Sequence, residues 1–330
     1  MTAELSTSSS TEFWVRLPNW LGDVVMALPA LRALRAELPD VTLTLVGRTG
    51  FAPLIERFDI GQRFIALPDK GLGYYRAFKR LCTPMPQHYL LFTHSLRGDM
   101  EAAMSGARRR FAAVRPGRFR PLLTDAYRVP KDTDLAQVHQ TVIWQQMMRH
   151  FGWQTEFDFR PLGTAANDQD TLRIGLICGS ENSPEKRWPV GHWRQLVDAL
   201  LSADTNTEIV LFGTPGDREI TDQVVDGFDP ERVRNRAGQT NLAAFCDELA
   251  ACRVVCCNDT GGMHLANMLG APVVAIFGPT NPVRTGPIFS APVTIIQPPD
   301  CAPTGGVPID RVSVEQCAGA VRQALSSQDK

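Results

Sequence analysis

The longest apolar runs in the chain are strand-sized, far below the ~20 residues that a membrane-spanning helix requires. No transmembrane segment is expected. The first dozen residues are rich in Ser and Thr and carry neither a basic region nor an apolar core, so a secretory signal is not expected either, and the anticipated location is cytoplasmic. The eight cysteines include no CxxC pair. Cys178, Cys256 and Cys257 fall in apolar strand patterns, and Cys246 and Cys252 in or near a helix; these are the placements of reduced, buried thiols, not of a metal site. No Lys follows a Gly, and neither GxSxG nor HExxH occurs, which excludes a Walker A loop, a nucleophile elbow and a zincin helix. Lysine itself is scarce: 29 of 34 basic residues are Arg, and between Lys131 and Lys330 only position 186 is Lys.

What is present is apolar mass for two cores. At 330 residues, 44% hydrophobic and 21% charged, the chain fits two domains of roughly 150 residues each. The polar, aperiodic stretch from Pro161 to Thr171 is the expected linker, dividing residues 1–165 from 166–330. Net charge is only −1, yet from Lys70 to Lys131 thirteen Lys and Arg stand against Asp99, Glu101 and Asp125, a local net of +10. Such a segment suits an acidic partner or is a solvated basic face. No helix-turn-helix, zinc-finger or aromatic RNP pattern accompanies it, so nucleic acid is not the expected partner.

The most informative stretch is VVCCNDTGGMHLANMLGAPVVAIFGPTNP, from Val254 to Pro282. An apolar run meets Asn258-Asp259-Thr260-Gly261-Gly262. A helical pattern follows to Leu269, Gly270 and Pro272 stop it, and a second apolar run ends at Phe277. Two glycines at a helix start allow close backbone approach, and the first N–H groups of a helix favour an anion such as phosphate. An ordinary crossover with a Gly-rich turn is the alternative.

Earlier in the chain, Phe13–Leu17 reads as a first buried strand. It is followed by Pro18-Asn19-Trp20-Leu21-Gly22-Asp23 and a helix with Val24, Val25, Leu28, Leu31, Leu34 and Leu38 on one face, which Pro29 should kink or divide. Gly22 has no side chain to block an approaching ligand. Asp23, at a helix N-terminus, is held ionised as a base must be, or simply caps the helix. Further strands are expected at 41–46, 63–67 and 88–93, a basic helix over 74–81, and a helix over 135–151 with Val138, Val142, Trp144 and Met148 apolar. This is the alternation of a parallel sheet. Gly71-Leu72-Gly73 lacks the third glycine of a dinucleotide loop, Arg76 standing in its place.

The alternation restarts with a strand over 172–178, a loop Gly179 to Pro189 that contains Ser180 and Lys186, and a helix over 190–201. Where the composition so prefers Arg, a Lys in a Gly-Ser loop suggests that a compact point charge is needed. A strand over 208–213 leads to Glu219, which can accept from ribose hydroxyls or stabilise its own helix. Val293–Ile296 is the last strand, and Ser313 caps a final helix. Asp132-Thr133-Asp134 and Asp168-Gln169-Asp170 spell DxD, but both sit in polar connectors and read as surface loops.

Three of these segments resemble one family. Asn258-Asp259-Thr260-Gly261 with His264 and Phe277-Gly278-Pro279-Thr280, the run RLPNWLGDVVMALPALRALR, and the loop ending Lys186-Arg187-Trp188-Pro189 are similar to the signatures of the lipopolysaccharide heptosyltransferases. These are the ADP-heptose-using members of glycosyltransferase family 9, and the resemblance runs from about Phe13 to the last helix. It implies an α/β protein of GT-B fold, two Rossmann-like parallel-sheet domains facing a central cleft, acceptor on the first and nucleotide sugar on the second, with the last helix a candidate to pack back on the first. It implies inverting, metal-independent transfer of heptose from ADP-heptose to the lipopolysaccharide inner core, with Asp23 as base and no cofactor. The donor set carried over is Gly22, Ser180, Lys186, Glu219, Leu242 beside the nucleobase, Asp259, Thr260, Gly261, Gly262, Met263 and His264. Arg97, Arg120 and His139 would face the lipid A–core acceptor, with Arg108, Arg109 and Arg110 as helpers; His94 departs from the family's usual Asn. Peripheral contact with the cytoplasmic face of the inner membrane stays open. The competing readings are an epimerase of the same fold, a transferase of the same family using another sugar or acceptor, a nucleotide-binding scaffold without catalysis, and a binder of anionic lipid or nucleic acid resting on the basic segment.

Overall fold

The computed structural model describes residues 12–163, 172–181 and 183–327. The expected linker therefore lies mostly outside the described residues, as does the second DxD, Asp168–Asp170. The chain divides into two compact units, Met1–Asp158 and Phe159–Lys330, earlier than the 165/166 boundary expected.

The first unit runs β1 (Glu12–Arg16), α1 (Leu21–Glu37), β2 (Thr42–Gly47), α2 (Ala52–Arg57), β3 (Arg63–Ala66), α3 (Tyr74–Leu81), β4 (His88–Leu91), α4 (Leu96–Ser105), β5 (Arg109–Val114), β6 (Asp125–Arg128) and α5 (Gln140–His150). Its six strands pair in parallel in the order β3-β2-β1-β4-β5-β6. Central β1 is buried along its whole length, with Trp14 in register with Thr44 on one side and Tyr89 on the other. That two-sided burial is why the central strands read as unbroken apolar runs and not as alternating ones.

The second unit runs β7 (Leu172–Ile177), α6 (Val190–Ala203), β8 (Thr207–Phe212), α7 (Arg218–Val225), β9 (Val233–Asn235), α8 (Leu242–Ala250), β10 (Val254–Asn258), α9 (Gly261–Met268), β11 (Val273–Ile276), α10 (Pro282–Thr285), β12 (Val293–Ile296) and α11 (Val314–Ser326). Its sheet, also parallel, has the order β12-β11-β10-β7-β8-β9. Each unit thus starts at the centre, winds to one edge, and returns to the other side of its first strand. The direction of winding reverses between β1 and β4 and again between β7 and β10, and such switch points leave a crevice beyond the strand ends.

Several local expectations are corrected. Strands β5, β6 and β9 were not apparent, because charge hides them: Arg109 pairs with Asp125 on β6 at 2.5 Å and lies over the Phe111 ring at 4.8 Å, while Arg110 donates to the carbonyls of Leu122 and Ala107. These two arginines hold the sheet edge together. Helix α1 passes through Pro29 unbroken and is buried on nearly every side, not on one face. Helix α5 begins at Gln140, not Leu135, since His139 is extended and its Nδ1 accepts the Thr141 amide at 3.2 Å; Val142, expected in the core, is 42% exposed. The last helix, α11, packs on α6 and on β10 to β12 of its own unit.

All eight cysteines are free thiols and all but Cys301 are buried. Burial pushes the thiols of Cys178, Cys256 and Cys257 well up, and those of Cys252 and Cys317 to about 12. Since the thiolate is the nucleophile, brief treatment of the native protein with iodoacetamide is expected to yield one adduct by mass spectrometry, at Cys301. Adducts on the strand cysteines would contradict the packing.

Candidate functional site

At the first switch point the turn after β1 is built on a buried charge. Arg16 donates to Glu101 (2.6 Å), to the Leu17 carbonyl (2.5 Å) and to Asn19 Oδ1 (2.9 Å), and the Tyr74 hydroxyl donates to the other Glu101 oxygen. Arg16 and Glu101 are almost wholly enclosed, at 2% and 0% exposure, which a charge tolerates only when paired and hydrogen-bonded. The network holds the turn from which α1 departs.

Trp20 is the cap residue of α1 and makes no side-chain cap bond, whereas Asp23 lies in the helix's first turn, with Gly22 buried beside it. Asp23 is therefore not the N-cap. It lines a pocket of about 230 Å³ with Asn19 and Trp20 of the same turn, Thr93, His94 and Ser95 beyond β4, and Arg115, Gln140 and Trp144. The pocket is lined by segments that follow the carboxyl ends of strands, the first turn of α1 included, and by the start of α5.

The three expected acceptor residues have different fates. Arg97 is exposed in the first turn of α4, its guanidinium 5.2 Å from the Tyr74 ring. Arg120 is turned inward: it pairs with Asp99 at 2.5 Å and donates to the carbonyls of Ala113 (2.8 Å) and Thr93 (3.0 Å), leaving its side chain 6% exposed. A guanidinium so committed positions the end of β4 and is not brought to the pocket as a ligand. His139 is the N-cap of α5, and by ending the extended segment there it sets Gln140 and Trp144 at the pocket.

At the second switch point the loop after β7 meets the end of β10. Lys186 Nζ lies 2.8 Å from Asp259 Oδ2, with the two side chains 25% and 9% exposed. Buried Asn258 clamps the loop: its Nδ2 donates to the Cys178 carbonyl at 2.7 Å, and its Oδ1 accepts the Trp188 amide at 3.2 Å. Trp188 in turn donates its indole N–H to the Val312 carbonyl. The Ser180 carbonyl accepts from Arg187 at 3.2 and 2.9 Å, closing the loop on itself.

Helix α9 starts after Thr260, whose side chain makes no cap bond. The first amides of a helix lack intrahelical partners, but that of Met263 already donates to the Thr260 carbonyl at 3.1 Å. This shortens the expected amide cradle to its first members. Met263 and His264 are 0% and 4% exposed, so the protein encloses both. Gly262 is packed closely: a Cβ there would lie 2.6 Å from the end of the Ile177 side chain and 3.2 Å from the Phe245 ring. Glu219 is exposed in the first turn of α7. Leu242 is the first residue of α8, whose cap Asn241 accepts the Ala244 amide at 2.9 Å.

Gly179 has a comparable role. A Cβ at this position would sit 2.1 Å from the Asp217 carboxyl, which is itself fixed by bonds from the Thr214 amide (2.9 Å) and hydroxyl (2.7 Å). Gly179→Ala is expected to cost ~1–3 kcal/mol by overpacking, seen as a lower urea midpoint with an unchanged m-value. An unshifted midpoint would show that Asp217 can move aside.

Asn258, Arg115, Gln140 and Trp144 were not singled out as site residues from the sequence. Asn258 could have been, as part of the Asn-Asp-Thr-Gly run; Arg115 and Gln140 carried no local signal. Among the described residues no group of three or more His, Cys, Asp or Glu is arranged to hold a metal ion, and no helix is long and apolar enough to cross a membrane.

Comparison with known proteins accords with this layout. The chain is 28% identical to lipooligosaccharide heptosyltransferase 2 of Haemophilus ducreyi, over 84% of this chain and 86% of that one. It is 25% identical to lipopolysaccharide heptosyltransferase 2 of Escherichia coli, over 82% and 84%. The solved structure of the E. coli ADP-heptose lps heptosyltransferase II, at 21% identity, superposes with a TM-score of 0.78 over 97% of this chain and 100% of that one, sharing the GT-B fold of two parallel-sheet units. A model of glycosyltransferase family 9 (heptosyltransferase) matches residues 133–306, more than half the chain and the whole of the β7–β10 switch point, and on that match the protein is a glycosyltransferase belonging to family 9.

Proposed function

We propose that the protein transfers heptose from ADP-heptose to the inner core of lipopolysaccharide, inverting the anomeric centre, with Asp23 as general base and without a metal ion. The observation that carries this is the Lys186–Asp259 pair at the mouth of α9, a cation beside a helix start in the family-matched segment, which suits a diphosphate. The named relatives supply the sugar and the acceptor class.

In this mechanism an acceptor hydroxyl gives its proton to Asp23 as its oxygen bonds to the anomeric carbon. The bond from that carbon to the diphosphate breaks, and the electron pair leaves with ADP. The growing negative charge is met by Lys186 and the first amides of α9, groups fixed before reaction. Asp259 orients Lys186 and faces the sugar hydroxyls, Glu219 accepts from the ribose, and the backbone at Leu242 lies beside the nucleobase. Arg97 reaches toward acidic groups of the acceptor. The proposed location is the cytoplasm, with the acceptor met at the cytoplasmic face of the inner membrane.

The test is incubation with a panel of nucleotide sugars, with and without heptose-truncated lipopolysaccharide, in EDTA and in magnesium. The expected result is addition of one heptose to the acceptor, from ADP-heptose, indifferent to EDTA. Isomerised donor in the absence of acceptor would replace this reading by an epimerase, and loss of transfer in EDTA would restore a metal to the mechanism.

A further inference from the structure

Large apolar side chains collect at one edge of the first unit. Eight are exposed among the described residues, and four of them follow carboxyl ends of the first sheet: Trp20 after β1, Leu72 after β3, Leu96 after β4 and Phe119 after β5. Single exposed apolar residues are ordinary, whereas a group of them marks an interaction surface. Because the strands are parallel, these ends lie along one edge, and β3 stands four strand spacings from β5, roughly 20 Å. Leu72, Leu96 and Phe119 are 110%, 66% and 79% exposed, so the protein leaves them largely in water. The tips are nevertheless mounted firmly. Arg120, next to Phe119, pairs with Asp99 and donates to the Thr93 carbonyl, which ties the loop after β5 to the start of α4. The Arg97 guanidinium over the Tyr74 ring ties that start to α3.

Each tip also carries a cation: Lys70, Arg97 and Arg118 are all exposed, and none is in an ion pair among the described residues. On the three loops Asp69 is the single acidic residue. Such a surface must meet apolar matter and negative charge together. A nucleic acid would satisfy the cations and leave the leucines in water, and an apolar protein groove would do the reverse. An anionic bilayer offers both: phosphates at its surface, which attract each nearby Lys or Arg, and hydrocarbon below, where apolar side chains settle ~5–10 Å deep. We infer that this edge docks on an anionic lipid bilayer, with Leu72, Leu96 and Phe119 entering the headgroup layer and Lys70 and Arg118 against lipid phosphates. Trp20, and Ser95 just before Leu96, line the pocket that holds Asp23, so an acceptor anchored in the same bilayer meets that pocket along the docked edge. The choice of bilayer rests on the location proposed above, whereas the surface itself does not.

The experiment co-sediments the full-length chain with vesicles of phosphatidylglycerol and phosphatidylethanolamine, and separately with vesicles of phosphatidylcholine. The wild type is expected to partition onto the anionic vesicles, less so as salt screens the charges, and at least ~10-fold more weakly onto phosphatidylcholine. Lys70→Gln and Arg118→Gln should each weaken partitioning ~5-fold, and Leu72→Ser and Phe119→Ser ~10-fold each. With nucleotide sugar and the water-soluble, de-O-acylated acceptor saccharide, all four variants should keep the kcat/KM of the wild type. With the acceptor embedded in anionic vesicles, kcat/KM should fall as partitioning falls. A wild type that stays in the supernatant, or four variants that partition as it does, would overturn the docking surface and leave the transferase reading intact. So would losses confined to the two charge variants together with equally tight binding of a DNA duplex, the behaviour of a surface for polyanions. If no sugar is transferred to either acceptor, sedimentation alone decides: partitioning that all four substitutions weaken keeps the surface and removes the transferase reading.

Discussion

Asp23→Asn is expected to lower kcat by ~10²–10⁴, the range a positioned general base supplies, while KM for the nucleotide sugar changes little. The substitution keeps the shape of the side chain and removes its ability to take a proton at neutral pH. It also removes a negative charge from the first turn of α1, but that charge is worth only ~0.3–1 kcal/mol to the helix, and the cap residue is Trp20. Thermal unfolding should therefore report a nearly intact protein, so that lost turnover cannot be ascribed to lost fold. A capping role would have the opposite signature: lowered stability and preserved turnover. Single-turnover rates with donor and acceptor both saturating are the measurement, and a rate close to wild type would falsify the base assignment.

Lys186→Ala is expected to lower kcat by ~10²–10³, the usual cost of losing one preorganised electrostatic group at a site of developing charge, and to weaken binding of ADP. Part of that loss has a specific origin. With Lys186 gone, the Asp259 carboxylate, 9% exposed, is left without its cation and faces the incoming diphosphate with charge of the same sign. The double variant Lys186→Ala, Asp259→Asn should then bind ADP more tightly than Lys186→Ala alone, a non-additivity that neighbouring groups show and distant ones do not. Lys186→Arg is not expected to restore full activity, because the planar guanidinium is a fork where this loop offers a point charge. With its side chains only 25% and 9% exposed, the pair is largely enclosed, so Lys186→Ala, which strands the carboxylate, should lower Tm, and the double variant and Lys186→Arg should lower it less. Unchanged ADP affinity in Lys186→Ala would remove the lysine from the donor site.

The legibility of the site follows from how local each signal is. Asp23, Lys186 and Asp259 each sit at or just before the helix that follows a buried strand, and the strand, the glycine and the helix start lie near one another in the chain. Arg120 shows the limit. In the sequence it is one arginine in a basic segment; only folding shows that Asp99 and the Thr93 and Ala113 carbonyls absorb its donors. Gly262 and Gly179 were legible as glycines, but only the fold shows that the Ile177 side chain and the Asp217 carboxyl lie beside them.

By itself the amino-acid order determined that this protein has two parallel-sheet halves, that its thiols are mostly buried, and which strand-to-helix junctions carry the carboxylate and the lysine. Those properties depend on apolar period, turn residues and neighbours within a few positions, all of which act along the chain. Tertiary structure alone decided that β4 returns beside β1 and β10 beside β7, and so which turns share a crevice. It also decided which cations are spent internally and that Gln140 and Trp144 come to line the pocket that holds Asp23. Partnering of polar groups across segments far apart in sequence is settled by packing geometry, to which no local pattern of residues has access.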